Sequence, residues 1–200
     1  MNLPDLYDPS FKYFYPLAGT LIWTIFYLGV ERSLIFTPYK VPQLAIDQFI
    51  PFQPWTIWIY QATGPFVLLA YILTTEPSTL NSLLFAFPAL VISSAFFFFF
   101  FPTTIPRDIY PIPESADRWT KWNFEKLRAV DKPVNCVPSM HVSLTILFAG
   151  LFYESKQHYF PYFAVFGLAI IISTTTTKQH YFIDVIAGAI VGILVYALFF

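Results

Sequence analysis

Long apolar segments are the feature that most constrains the fold of this chain of 200 residues. They come in blocks of roughly 20 residues, the length that an α-helix needs to cross the hydrocarbon core of a bilayer. Only 12% of the residues are charged, against about 25% in soluble chains. The sequence predicts an all-α polytopic membrane protein, a six-helix bundle forming one domain over residues 1–200. We place the six spans at 14–36, 55–73, 80–101, 139–154, 159–173 and 181–200.

The predicted spans determine which loops share a membrane face. With six crossings the first, third and fifth loops lie together, at residues 37–54, 102–138 and 174–180. The opposite face holds the N-terminal arm, a short loop around Glu76 and a polar break at 154–158. All the candidate chemistry falls on the first of these faces.

Two histidine motifs lie on that face. The first reads Pro-Ser-Met-His and ends at His141, and the second reads Lys-Gln-His-Tyr-Phe-Ile-Asp over residues 178–184. The chain leaves the face after His141 and returns at His180 through one apolar hairpin, so both imidazoles are expected at the same end of the bundle. Asp184 follows His180 by four residues, which places its carboxylate one helical turn away on the same side of the helix.

This set of residues suits phosphoryl transfer, which needs a nucleophile, donors around the phosphoryl oxygens and a proton for the leaving oxygen. We predict that His180 attacks phosphorus while Asp184 holds its other ring nitrogen and stabilises the charge that forms. His141 then protonates the leaving oxygen and later activates water. An acid within an apolar span is costly and usually functional, which also favours a role for Asp184.

Three further residues are candidates for binding the phosphate. Ser139 adds a hydroxyl at a predicted helix start, where free N–H groups and the helix dipole favour an anion. Lys178 lies just before the sixth span, and Arg107 lies where the third span emerges on the same face.

The sixth span carries small residues on the same side as its motif. Gly188 and Gly192 continue the four-residue spacing of His180 and Asp184, and this small-xxx-small pattern permits close helix contact in lipid. We therefore expect a site buried between the fourth and sixth spans.

The third loop is predicted to contain an interfacial amphipathic helix over residues 114–131. One side carries the apolar residues Trp119, Trp122, Leu127 and Val130, and the other carries the basic residues Arg118, Lys121 and Arg128. Tryptophans at headgroup depth and a basic polar face are typical of such helices. An ordinary membrane-surface helix and a helix that contacts substrate both fit this pattern.

Several classes of partner are not indicated. A net charge of −1 offers no electrostatic basis for binding nucleic acid. Cys136 is the only cysteine, so an intrachain disulfide is excluded. Two motif histidines without a third His or a Cys beside them do not indicate a metal site, and no cofactor is called for. The expected partners are the bilayer and a lipid phosphate.

The residues from about 100 to 200 resemble the type 2 phosphatidic acid phosphatase superfamily, the lipid phosphate phosphatases. That family's Pro-Ser-Gly-His motif is matched with Met140 in place of Gly. Its motif of Ser-Arg, five residues, His, three residues and Asp is matched by Ser173, His180 and Asp184, with Thr174 in place of Arg. Its first motif, a Lys seven residues before Arg-Pro, is matched only at Arg107, since Phe100 and Asp108 fill the Lys and Pro positions.

The resemblance implies a metal-independent phosphohistidine mechanism with His180 as nucleophile, Asp184 orienting it and His141 as acid and base. Two cations of the family pattern are replaced. Lys178 is the candidate substitute for one, and Arg118 or Lys121 is the candidate for a second contact to phosphate or a lipid headgroup. The Thr-Lys-Gln-His-Tyr and Pro-Ser-Met-His forms are similar to an inositol phosphorylceramide synthase-like branch.

Three functions follow from these observations. The first is a phosphohydrolase that releases phosphate from a phospholipid or an isoprenoid phosphate or diphosphate. The second is a phosphotransferase that passes a headgroup phosphate to a lipid alcohol through the same His180 intermediate. The third is a membrane scaffold or transport component that retains the motifs without chemistry.

The sequence contains opposing signals for the orientation of the site. The motif face carries more cations than the opposite face, which has Lys12 and Lys156, and the positive-inside rule would make the richer face cytoplasmic. The motif-face cations are Lys40, Arg107, Arg118, Lys121, Lys126, Arg128, Lys132 and Lys178. The family resemblance implies the reverse, a periplasmic or lumenal site, and we adopt that expectation because some of these cations have phosphate or anionic lipid to bind.

Overall fold

The computed structural model describes residues 3–32, 35–155 and 158–200, and this part of the chain is mostly helical. The α-helices are α1 Phe14–Arg32, α2 Ala45–Phe49, α3 Ile57–Gln61, α4 Thr63–Leu73, α5 Pro77–Phe100, α6 Arg118–Val130, α7 Met140–Glu154, α8 Phe160–Thr176 and α9 Phe182–Phe199. Short 3-10 turns cover Pro9–Phe11 and Pro54–Thr56, and two short strands, β1 Tyr39–Lys40 and β2 Thr103–Thr104, pair in parallel.

Among the described residues, three helical segments are long and apolar enough to cross a membrane: Pro54–Leu73, Pro77–Phe100 and Phe182–Phe199. Three shorter apolar helices, Phe14–Tyr27, Met140–Glu154 and Phe160–Thr176, fall where the other spans are predicted. Membrane insertion is thus supported, while the count of six crossings stays a prediction. Residues 33–34 of the first predicted span and 156–157 of the polar break lie outside the described residues.

The helix boundaries follow from proline and capping chemistry. Pro77 begins α5, where a missing N–H costs nothing. The third-loop helix begins at Arg118 rather than at residue 114, because the Asp117 carboxylate accepts hydrogen bonds from the amides of Trp119 and Thr120, each at 3.0 Å.

The buried face of α6 differs from its predicted apolar face. Thr120, Asn123 and Phe124 are the buried residues, and Phe124 packs with Ile57 of α3. Trp119 is 61% exposed and points away from the protein. Aromatic side chains facing outward are compatible with headgroup contact, but the interfacial position of α6 stays a prediction.

Helix α7 occupies the centre of the bundle and packs against α4, α5, α8 and α9. Its contact with α9 is close at the two predicted glycines. A Cβ placed on Gly188 would lie 2.4 Å from the carbonyl oxygen of Ser139, and one on Gly192 would lie 2.9 Å from that of Ser143. The predicted small-residue contact between these helices is therefore present, and the Ser143 hydroxyl extends it by donating to the Gly188 carbonyl at 2.9 Å.

The three loops predicted to share a face do meet. Strand β1 of the first loop pairs with β2 of the third, and Thr103 also bridges to Asn135 later in that loop. The amine of Lys178, in the fifth loop, donates to the carbonyl of Asp47 in the first at 2.9 Å. This cap of loops closes the end of the bundle at which α7 and α9 begin.

Candidate active site

His180 is held by two acceptors at one ring nitrogen. Its Nδ1 lies 3.1 Å from the carbonyl oxygen of Cys136 and 3.3 Å from Oδ2 of Asp184. Because both partners can only accept, Nδ1 carries the hydrogen, and Nε2 of the neutral ring keeps its lone pair. The ring is 6% exposed. The predicted pair of His180 and Asp184 is present, and the geometry suits a nucleophilic Nε2.

The carbonyl of Cys136 is a contact that sequence reasoning missed. It is brought to His180 by the bridge between Thr103 and Asn135 and by the Val137 amide, which donates to the Thr103 hydroxyl at 2.9 Å. A backbone carbonyl that arrives through a long-range pairing leaves no mark in the sequence. Burial raises the pKa of the Cys136 thiol well above its usual value, so this side chain remains a neutral thiol.

Asp184 has a structural task as well as its contact to His180. Oδ2 accepts a hydrogen bond from the Tyr181 amide at 2.9 Å, which caps the start of α9. Its other oxygen, Oδ1, is buried without a hydrogen-bond partner among the described residues. The carboxylate is thus locked in place by the helix it caps, which fixes the imidazole in turn.

His141 lies opposite His180 at the start of α7. The two ring centroids are 6.0 Å apart, and the His141 ring stacks on Tyr60 of α3 at 4.0 Å. Both rings line the same cavity. Tyr60, which orients His141, was not predicted, because an aromatic residue in an apolar span carries no distinguishing signal.

A cavity of about 880 Å³ opens from the two histidines into the bundle. Besides His141 and His180, its polar lining includes Arg107, Asp131 and Gln179. Most of the remaining wall is apolar and is contributed by α1, α4, α5 and α7, with side chains such as Trp23, Val67, Leu83, Phe87, Phe98 and Leu144. A polar end beside an apolar channel fits an amphiphile with its headgroup at the histidines.

Arg107 reaches the cavity but is paired with an acid. Its terminal nitrogens donate to the backbone carbonyl and to Oδ2 of Asp131, each at 2.5 Å. The Tyr27 hydroxyl donates to the other carboxylate oxygen, Oδ1. Arg107 lines the cavity, its charge is partly balanced by Asp131, and its role in binding phosphate stays a prediction.

The Lys178 amine is hydrogen-bonded to the first loop. Besides the Asp47 carbonyl, its amine donates to the Ile50 carbonyl at 2.5 Å, and it lies 5.3 Å from the Tyr110 ring centroid. Burial lowers the pKa of this amine, while the Asp47 charge opposes the change. Its backbone adopts the left-handed region, with φ of 56°, in the turn that presents His180. The structure thus uses Lys178 to hold the first loop.

The other predicted phosphate-binding residues, Ser139, Arg118 and Lys121, do not lie together next to the two histidines. The Ser139 hydroxyl is fully buried and has no partner in the described part of the chain. On α6, the Lys121 amine donates to the Glu114 carbonyl at 2.7 Å, and the Arg118 guanidinium lies 5.4 Å from the Trp119 ring centroid. Neither α6 cation is among the residues that line the cavity.

The two positions at which the family pattern has cations bear none. Phe100 is 47% exposed at the end of α5, and the Thr174 hydroxyl donates to the Ile171 carbonyl within α8 at 2.7 Å. Within residues 3–32, 35–155 and 158–200, no group of three or more His, Cys, Asp or Glu side chains is arranged to hold a metal ion.

These features define a membrane-inserted helical protein in which two histidines and an orienting carboxylate meet beside an apolar cavity. The chain belongs to the PAP2 superfamily, whose family model matches residues 26–198. It is also 35% identical over 65 residues to the uncharacterized protein MJ0662 of Methanocaldococcus jannaschii. That match covers 32% of this chain and 27% of the relative, so the chain aligns with about a quarter of that protein. No solved structure matches the chain.

Proposed function

We propose that the protein is a lipid-phosphate phosphohydrolase acting through a phosphohistidine intermediate. Membership of the PAP2 superfamily supports phosphatase-type activity. The observation that carries the finer proposal is the contact of His180 Nδ1 with both the Cys136 carbonyl and Asp184, because it directs the free lone pair of Nε2 away from them. The apolar cavity supports a substrate whose tail lies in the bilayer.

The first half of the reaction transfers the phosphoryl group to the enzyme. Nε2 of His180 attacks phosphorus, a P–N bond forms, and the P–O bond to the lipid breaks. His141 gives its proton to the departing oxygen, so the lipid leaves as an alcohol or, from a diphosphate, as a monophosphate. Asp184 stabilises the imidazolium that His180 becomes, and no step requires a metal.

The second half releases the phosphate. His141, now neutral, takes a proton from water as the water oxygen attacks phosphorus. The P–N bond breaks, its electron pair returns to Nε2, and inorganic phosphate leaves. Both imidazoles end in their starting protonation states, which closes the cycle.

A lipid phosphotransferase is the second candidate function. In this case a lipid hydroxyl replaces water in the second half, and His141 removes its proton. The observation that favours this candidate is the apolar wall of the cavity next to His141, which gives a lipid alcohol the same access as a lipid phosphate. An absolute dependence of turnover on added lipid alcohol would select transfer over hydrolysis.

The test is phosphate release by the purified protein from a panel of lipid phosphates in mixed micelles. His180→Ala is expected to abolish release. His158→Ala is the matched control, since the His158 ring packs at a tilt against Tyr159 beyond the opposite end of α7, and it is expected to retain full activity. Release that persists in the His180→Ala variant, or that disappears after controlled removal of metal ions, would contradict the proposal.

A further inference from the structure

Two buried amide side chains lie beside the histidines without hydrogen-bond partners. Gln179 is 2% exposed and Asn135 is 7% exposed, and both line the cavity. For each, neither the amide nitrogen nor the amide oxygen bonds to another group in the described part of the chain. The cavity wall thus presents two unpaired donor groups and two unpaired acceptors.

Such groups rarely stay unpaired in a folded protein. Buried polar atoms are nearly always hydrogen-bonded, and each unpaired one destabilises the fold that contains it. Two amides that line the same cavity, each with both its nitrogen and its oxygen unpaired, therefore point to a ligand with several oxygens that accept and donate hydrogen bonds.

The nearby cations Lys178 and Arg107 already donate hydrogen bonds to other groups of the protein. The Lys178 amine is held by the carbonyls of Asp47 and Ile50. The terminal nitrogens of Arg107 are held by Asp131. Among the described groups that line the cavity, the buried donors without a partner are these two amides, Nε of Arg107 and Nε1 of Trp23.

The backbone couples both amides to the nucleophile. Gln179 directly precedes His180, in the turn where the amides of Lys178 and His180 donate to the carbonyls of Thr175 and Thr174. Asn135 directly precedes Cys136, the residue whose carbonyl holds Nδ1 of His180. The segments that orient the imidazole thus also position the two amides.

We propose that Gln179 and Asn135 form an amide cradle that binds the phosphoryl oxygens of the substrate. Each NH2 group donates to a non-bridging oxygen, and each amide oxygen accepts from a phosphate hydroxyl or from the incoming water or alcohol. The amide cradle deepens the proposed function. It rests on that function, because the proposed reaction identifies the ligand as a phosphate ester. The cradle supplies hydrogen bonds without adding positive charge.

Inorganic phosphate is the probe that tests this cradle apart from catalysis. The full chain in mixed micelles is titrated with phosphate, and the dissociation constant is measured for the wild type, Gln179→Leu and Asn135→Leu. Loss of one hydrogen bond to an anion should weaken binding about tenfold or more in each variant. Gln48→Leu, on the exposed surface of α2, is the matched control and should bind phosphate like the wild type.

Thermal unfolding without phosphate separates binding from structure. Replacing an unpaired buried amide by an apolar side chain of similar size should leave the unfolding temperature unchanged or raise it. If Gln179→Leu fails to fold, Gln179→Glu keeps the shape while replacing the donor with a charge that repels phosphate, and it should also weaken binding.

The outcomes distinguish this proposal from the proposed function. Absent phosphate binding in the wild type, unchanged binding in the amide variants, or a fall in unfolding temperature that accounts for the lost binding would each overturn the cradle. Weakened binding in stable variants, combined with no phosphate release from any lipid by the wild type, would support the cradle and contradict the phosphohydrolase.

Discussion

The backbone N–H of Ser139 donates to the carbonyl oxygen of Asp184 at 3.1 Å. This bond joins the residue before α7 to the first turn of α9, and so connects the segment carrying His141 to the residue that orients His180. It forms because Gly188 lets the two backbones approach closely. The distance between His141 and His180 therefore depends on a helix contact next to them.

Gly188→Ala should destabilise the protein by about 3 kcal/mol, the upper end of the usual cost of overpacking. The added methyl would lie 2.4 Å from the Ser139 carbonyl oxygen, so the backbone must move. Unfolding in mixed micelles measures the change. Gly64→Ala is the matched control, since a Cβ there meets no atom within 4 Å, and equal stability of the two variants would contradict the prediction.

Asp184→Asn should lower the turnover number by about 10²- to 10⁴-fold with little change in KM. The asparagine oxygen can still cap α9 at the Tyr181 amide, so the fold is kept, but the charge that stabilises a His180 imidazolium is lost. Steady-state kinetics with an unfolding measurement on the same sample check this. Wild-type turnover in a folded Asp184→Asn protein would exclude the proposed role of the carboxylate.

Asp131→Ala should destabilise the protein by about 3 kcal/mol, because it leaves the Arg107 guanidinium mostly buried without its counter-charge. The two side chains are 17% and 12% exposed. A double-mutant cycle with Arg107→Ala isolates the pair from each side chain's other contacts, which include Tyr27. Additive effects of the two substitutions would show that the pair contributes no interaction energy.

The orientation of the site can be measured by cysteine labelling, because Cys136 is buried and burial raises the pKa of its thiol. The wild type should therefore resist an impermeant maleimide at neutral pH. Ser115→Cys in the third loop should label in intact cells, and Ser78→Cys near the opposite loop should label only after permeabilisation; both positions are exposed. The reverse labelling pattern would place the face that carries His141 and His180 on the cytoplasmic side of the membrane.

Local relationships were accessible from the sequence. The spacing of Gly188 and Gly192 follows from helical periodicity, and the shared position of His141 and His180 follows from one hairpin. The contact of His180 with Asp184 was also predicted, but for a different physical reason. His180 precedes α9, which begins at Phe182, and the Asp184 carboxylate reaches back to it past the Tyr181 cap.

Relationships between distant segments were not accessible. The Cys136 carbonyl, the Tyr60 ring and the bonding of Lys178 to the first loop all depend on how the loops pack, and loop pairing has no periodic signal. A lysine beside a nucleophile predicts phosphate binding equally well whether its amine faces the cavity or the loop carbonyls. Charge and position alone could not decide between these two arrangements.

The most direct test of the account is to trap the intermediate. The protein is mixed with a lipid phosphate labelled with ³²P and quenched in alkali within one turnover, and the labelled peptide is identified. We expect the ³²P label on His180, and we expect the bond to be stable in base and labile in acid. The His180→Ala variant should carry no label, and the His158→Ala variant should be labelled like the wild type. Turnover without label on His180, or label on another residue, would contradict the phosphohistidine mechanism.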